Sequence, residues 1–287
     1  MLNKSLTEGR KSGAALRLSF SHQKLRGGMG GKLGSGIGNS LEFQDYREYH
    51  PGDDLRRLDW AAYARSDKLT LRMYREEIQP RVDIISDTST SMNAPDSAKS
   101  RASVFLAGLF AEAAFRSEAS AAWWGFGNGW KSFFRASNSF PENAELPIWE
   151  GGFTLDEEFA RKIPRLSTKG IRICISDFLW ETPPEIPLKR LADGAAEVIL
   201  AATLSTEELN PPLYGPSTLC DAETAGKLDM MIGPAEKEAY LKRLDTHIDL
   251  WKDTAASMGI KFCLIEAKPN EPPDISPLLK ANALEWN

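Results

Sequence analysis

The sequence predicts an α/β protein: a doubly wound, mostly parallel sheet with helices on both faces. Three observations predict it. Apolar runs at residues 82–86, 170–176, 197–203 and 260–266 have the near-continuous hydrophobic character of strands buried on both faces. Between them lie stretches with helical spacing, residues 97–117, 153–166, 185–192 and 235–258, and strand-helix-strand order implies parallel strands joined by crossovers. Two of the runs lead straight into an acid, Asp87 and Asp177, at the strand ends where doubly wound sheets collect ligands.

The chain has 287 residues, 42% of them apolar, enough for one large domain or a domain with an annex. Residues 1–40 read as a flexible, basic, Gly-rich segment. Within it Gly27 to Gly36 invites a phosphate-loop reading, which fails because Arg26 and Leu33 stand where that loop needs Gly and Ser or Thr. Residues 41–80 turn to dense charge and aromatics around Pro51-Gly52-Asp53-Asp54 and predict a β-rich annex, with a short helix near residues 56–65. Residues 81–268 carry the main domain. There, residues 119–126 and 131–135 make a hairpin about Gly127-Asn128-Gly129, and a second hairpin is inserted at about 217–232. Residues 269–287 form a tail with a short apolar segment suited to docking.

The charge balance excludes some classes. The net charge is −5, with about +4 on residues 1–80 and about −9 on the remainder, which argues against nucleic acid as the main partner. The first 20 residues mix Lys, Arg and Glu through their apolar positions, so neither a signal peptide nor a membrane span is expected. Cys174, Cys220 and Cys263 show no metal-ligand spacing and read as free thiols of a reducing, cytoplasmic compartment.

The chemistry concentrates in Asp87-Thr88-Ser89-Thr90-Ser91. In an extended or gently turning backbone, Asp87, Ser89 and Ser91 share one side and can converge on a small hard cation, Mg²⁺ or Mn²⁺. Hydroxyls leave such an ion largely un-neutralised and open to a carboxylate from a partner. Asp177, and Thr154 of Gly151-Gly152-Phe153-Thr154, can face the same crevice from other loops. Three alternatives stand beside this one: helix caps and turns, a metal-dependent hydrolase or phosphatase, and a scaffold whose site holds no metal. A phosphatase of the haloacid dehalogenase type needs a second Asp where this chain has Ser89.

These motifs resemble the metal-ion-dependent adhesion site of the von Willebrand factor A fold. More narrowly, Leu41-Glu42-Phe43, Arg47-Glu48-Tyr49, the Pro51 to Asp54 run, Arg56, Leu58-Asp59-Trp60 and Ala64-Arg65 resemble the bacterial domain-of-unknown-function fifty-eight family. That resemblance implies a six-stranded von Willebrand A-like core and Mg²⁺ held directly by Ser89 and Ser91. It implies that Asp87 and Asp177 act partly through water, with Thr154 direct or water-mediated. It further implies a non-enzymatic interaction module working with a MoxR-type AAA+ ATPase in assembly or maturation of other proteins. Arg47, Arg56, Asp59, Trp60 and Arg65 of the annex would then buttress the sheet or form a second contact surface. Better-known adhesion domains have Gly where Phe178 follows Asp177, and Phe178 and Phe153 are expected to narrow the crevice.

Overall fold

The computed structural model describes residues 1–20, 41–76, 80–93, 97–162, 164–212, 215–220, 222 and 226–287, and the chain divides into two compact units, Arg26–Gln79 and the rest. The Gly-rich run 27–36 and most of the turn of the inserted hairpin lie outside the described residues. In chain order the elements are α1 (Leu2–Gly13), β1 (Leu16–Leu18), β2 (Leu41–Glu48), α2 (Trp60–Ser66), β3 (Thr70–Glu76), β4 (Arg81–Asp87), α3 (Ala98–Arg116), β5 (Ser120–Phe126) and β6 (Lys131–Ala136). Then follow α4 (Leu155–Arg161), β7 (Ile171–Ser176), α5 (Glu185–Ala192), β8 (Glu197–Ser205), α6 (Thr206–Leu209), β9 (Gly215–Cys220), β10 (Lys227–Ile232), α7 (Pro234–Ser257), β11 (Lys261–Ala267), α8 (Ser276–Lys280) and β12 (Leu284–Trp286).

Six strands form the central sheet in the order β11-β8-β7-β4-β5-β6, parallel throughout except for the edge pair β5 and β6. The order reverses at β4, so the crevice beyond its carboxyl end lies at the topological switch point. Apolar layers cover both faces. One gathers Val82, Ile84, Trp123, Ile173 and Ile199 under α3; the other gathers Ile85, Trp124, Phe126, Cys174 and Leu200 with Phe178 and Trp251. Opposite alternation along β4 and β5 feeds the two layers, as a strand period of two requires. The two buried indoles also satisfy polar groups of β4: Trp123 Nε1 donates to Ser86 Oγ at 2.9 Å and Trp124 Nε1 to Asp83 Oδ1 at 3.0 Å.

The start of the chain departs from expectation. Residues 2–18 are not part of a flexible segment. Leu2, Leu6, Gly9 and Gly13 fall on one face of α1, and a Cβ at Gly9 would lie 2.0 Å from the Phe105 carbonyl oxygen of α3. Only hydrogen at Gly9 and Gly13 lets the two helices approach so closely. The charges of Lys4, Glu8 and Lys11 lie on the remaining faces of α1. Beyond α1, β1 pairs antiparallel with β12, Leu16 opposite Trp286 and Leu18 opposite Leu284, so the tail also belongs to the fold.

In the smaller unit β2 and β3 pair antiparallel, with an irregularity between Phe43 and Asp45. The acids of the intervening run hold backbone and guanidinium donors. Asp53 accepts from Arg47 Nη2 at 2.8 Å and from His50 N at 2.9 Å, and Asp59 caps α2 by accepting from Ala61 N and Ala62 N at 3.0 Å. Arg47, Asp53 and Asp59 thus build the turn and the helix start. Trp60 is 63% exposed and Arg56 is exposed as well.

β9 and β10 pair antiparallel between α6 and α7, Leu228 opposite Leu219 and Ile232 opposite Gly215. Among the described residues no helix is long and apolar enough to cross a membrane.

Candidate metal site

β4 ends on Asp87, and a single 3-10 turn, Thr90–Asn93, follows at once. The turn, not an extended strand, brings Ser89 and Ser91 together, with their Oγ atoms 3.0 Å apart. Two cis ligands at about 2.1 Å in an octahedral shell stand about 3.0 Å from each other, so this hydroxyl pair matches one edge of a Mg²⁺ coordination octahedron.

The acids beside the pair are buried and already oriented. Asp87 is 1% exposed; its Oδ1 accepts from Ser89 N at 2.8 Å, and its Oδ2 accepts from Ser176 Oγ at 2.6 Å. Burial, then the charge of Asp177, push the Asp87 carboxyl up to about 7 against the hydrogen bonds from Ser176 and Ser89. A cation in the crevice would relieve that charge.

Asp177, also buried, accepts from Leu179 N at Oδ1 and from Lys99 Nζ at Oδ2, the latter at 2.9 Å. Lys99 Nζ reaches Glu208 Oε1 at 2.5 Å. Burial pulls the Lys99 ammonium pKa down, but Asp177 and Glu208 outweigh it and raise it overall. No sequence motif assigns Lys99 and Glu208 to this site. The only cue is a lysine at the start of a largely apolar helix, beside a strand end that carries an acid.

The loop with Thr154 is stitched to the motif through its backbone. Glu150 N donates to Thr88 O at 2.9 Å, Thr90 N to Gly151 O at 3.0 Å, and Phe153 N to Gly127 O at 3.1 Å. Gly151 has φ of 86°, and a Cβ there would lie 2.3 Å from Gly127 O. The Thr154 side chain is engaged elsewhere, since its Oγ1 caps α4, accepting from Glu157 N and donating to Glu157 Oε2 at 3.0 Å. The structure therefore brings Asp87, Ser89, Ser91 and Asp177 together beyond the carboxyl ends of β4 and β7, while no hydrogen bond among the described residues joins Thr154 to them. As a ligand, Thr154 would have to release Glu157.

Phe178 does not narrow the crevice as expected. Phe178, 2% exposed, turns into the core against Trp180 and Trp251 at ring distances of 5.3 and 5.0 Å. Phe153 lies under the Arg161 guanidinium at 3.6 Å. Among the described residues no group of three or more His, Cys, Asp or Glu could hold a metal by itself. A cation here would have to be held by the serine hydroxyls, with Asp87 and Asp177 supplying charge and accepting hydrogen bonds from its waters. The donor set fits a hard cation that keeps several waters.

The strand order, parallel except for one antiparallel edge strand, is that of the von Willebrand A-like α/β fold expected from the sequence. Residues 45–139 match the family model described as "Protein of unknown function DUF58". No curated protein matches. Among solved structures the chain is similar to the conserved hypothetical protein BatB of Bacteroides thetaiotaomicron, at 11% identity and a TM-score of 0.32, over 71% of this chain and 95% of that one. It is similar to the ArnB paralog VWA2 of Sulfolobus acidocaldarius, at 12% identity and 0.29, over 43% and 34%. A third is an aerotolerance-related membrane protein of Bacteroides fragilis NCTC 9343, at 13% and 0.26, over 58% and 88%. At such scores these likenesses carry no weight, and the fold is defined by its own strand order.

Proposed function

We propose that this chain is a non-enzymatic protein-interaction module that binds Mg²⁺, or Mn²⁺, and through it an acidic side chain of a partner. The observation behind it is the Ser89 and Ser91 hydroxyl pair, 3.0 Å apart, beside the two buried acids Asp87 and Asp177. Ser89 and Ser91 would hold the ion, and the acids, already engaged by chain donors, would act through waters and through their charge. When bound, the ion supplies a Lewis-acidic position for a carboxylate oxygen.

The partner reading extends to a MoxR-type AAA+ ATPase and to assembly or maturation of other proteins, in a reducing cytoplasmic compartment suited to three free thiols. A purely binding role is favoured by Ser89, which stands where an aspartyl phosphatase carries its acid and base. Turnover of p-nitrophenyl phosphate with Mg²⁺ would count for the hydrolase instead.

The experiment is a melting curve with Mg²⁺, Mn²⁺ or EDTA, paired with capture of the ATPase under the same conditions. Binding to the folded state must raise the melting temperature, and Ser89→Ala or Asp87→Ala must abolish both that rise and the capture. Capture that is equal in EDTA and in Mg²⁺ would sink the metal-dependent reading.

A further inference from the structure

We propose that Lys99 is a positioning residue that tempers the crevice's affinity for a divalent cation, by holding Asp177 in an ion pair before any metal arrives. This rests on the metal reading above and names its regulation. Lys99 is the second residue of α3 and is 2% exposed, so its ammonium is a fixed part of the interior. It is sequestered by Asp177 Oδ2 at 2.9 Å and Glu208 Oε1 at 2.5 Å. Asp177 Oδ1 is taken by Leu179 N at 3.2 Å. Both oxygens of Asp177 are therefore engaged by the chain, and its charge is balanced by a tethered cation.

A metal at Ser89 and Ser91 would feel this in two ways. Asp177 cannot turn into the inner coordination shell without giving up Lys99, which keeps the ion short of anionic ligands and receptive to a partner's carboxylate. The ammonium also repels the ion through an interior that screens charge weakly.

The pair is wired to other elements. Glu208 closes the capping box of α6, accepting from Ser205 N at 2.7 Å, and its carbonyl accepts from the Tyr240 hydroxyl of α7 at 3.0 Å. A shift of α6 or α7 would thus alter how much of Lys99 is shared with Glu208 and how much falls to Asp177.

Calorimetric titration of the full chain with MgCl₂ tests this, with circular dichroism of each variant to confirm folding. Lys99→Met should bind Mg²⁺ about ten-fold more tightly than the wild type. Glu208→Gln leaves the ammonium to Asp177 alone and should bind several-fold more weakly. Opposite directions are the signature of tempering, because a merely structural role would weaken both or neither. Equal or weaker binding by Lys99→Met overturns the inference. If that variant does not fold, Glu208→Gln decides alone, and unchanged or tighter binding overturns it. A wild type that gives no heat while Lys99→Met does supports Lys99 as the restraint, whereas silence from both removes the metal reading and this inference together.

Discussion

Phe178 follows the last acid of the crevice with φ of 54°, a backbone that glycine adopts freely and that strains a bulky side chain. The ring is driven into the core against Trp180 and Trp251. Relief of the strain is worth roughly 1–3 kcal/mol, and loss of a buried Phe costs roughly 3–5 kcal/mol. Phe178→Gly should therefore lower stability by about 2 kcal/mol in urea unfolding, and a stabilised variant would show that strain wins. Asp87 sets a pH dependence. Its folded pKa of about 7 stands above the ordinary carboxyl value of 3.8, so between these values the folded state binds more protons than the unfolded one, and stability falls as pH rises. In EDTA, the wild type should lose stability relative to Asp87→Asn from about pH 4 to about pH 7, and the gap should be flat above; an unchanging gap across that range contradicts the shift. The serines and the two strand-end acids are legible in the sequence because each is announced by its own strand or by near neighbours. Lys99 is not, since its partners lie 78 and 109 residues away and a lysine in an apolar helix carries no spacing that points to them.

At the scale of elements, the central strands and their crossover helices are legible because burial on both faces leaves largely apolar runs, and α3 is buried along most of its length. α1 is not, because Lys4, Glu8, Arg10 and Lys11 give it a polar look, and its contact face is made partly of Gly9 and Gly13, which register in no hydrophobic pattern. Their meaning is steric. Gly9→Ala places a methyl 2.0 Å from the backbone of α3, so the helices must separate along their whole contact, and overpacking of this kind costs about 1–3 kcal/mol. The expected result is a lowered urea midpoint with unchanged Mg²⁺ binding, because among the described residues α1 makes no hydrogen bond to Asp87, Ser89, Ser91 or Asp177. Gly151→Ala should act the other way round. It meets both a φ of 86° and the Gly127 carbonyl at 2.3 Å, displaces the loop that backs Thr88 and Thr90, and should abolish the Mg²⁺-dependent rise in melting temperature. An undiminished rise in that variant would show that this loop plays no part in shaping the site.

At the scale of the whole molecule, the two ends of the larger unit close on each other, a feature no local pattern announces because the paired residues lie at opposite ends of the sequence. β1 and β12 pair through three residues each, and Leu16, Leu18, Leu278 and Leu284 are buried in the same layer as α3 and Ile199. Lys261 of the edge strand β11 fastens the junction, donating to Ser19 O at 3.1 Å and to Asn282 O at 2.5 Å. The crevice sits elsewhere, beyond the carboxyl ends of β4 and β7, and draws none of its side chains from either terminus. Stability and site are thereby separable. Leu284→Ala removes a side chain that is 2% exposed from a layer held together by its neighbours, a change worth about 2–5 kcal/mol. Its urea midpoint should fall by that measure while its Mg²⁺ affinity stays within about two-fold of the wild type. A Leu284→Ala protein that lost metal binding while still folded would mean that the terminal pair is coupled to the crevice through α3, the helix that lies under β1 and carries Lys99 at its start.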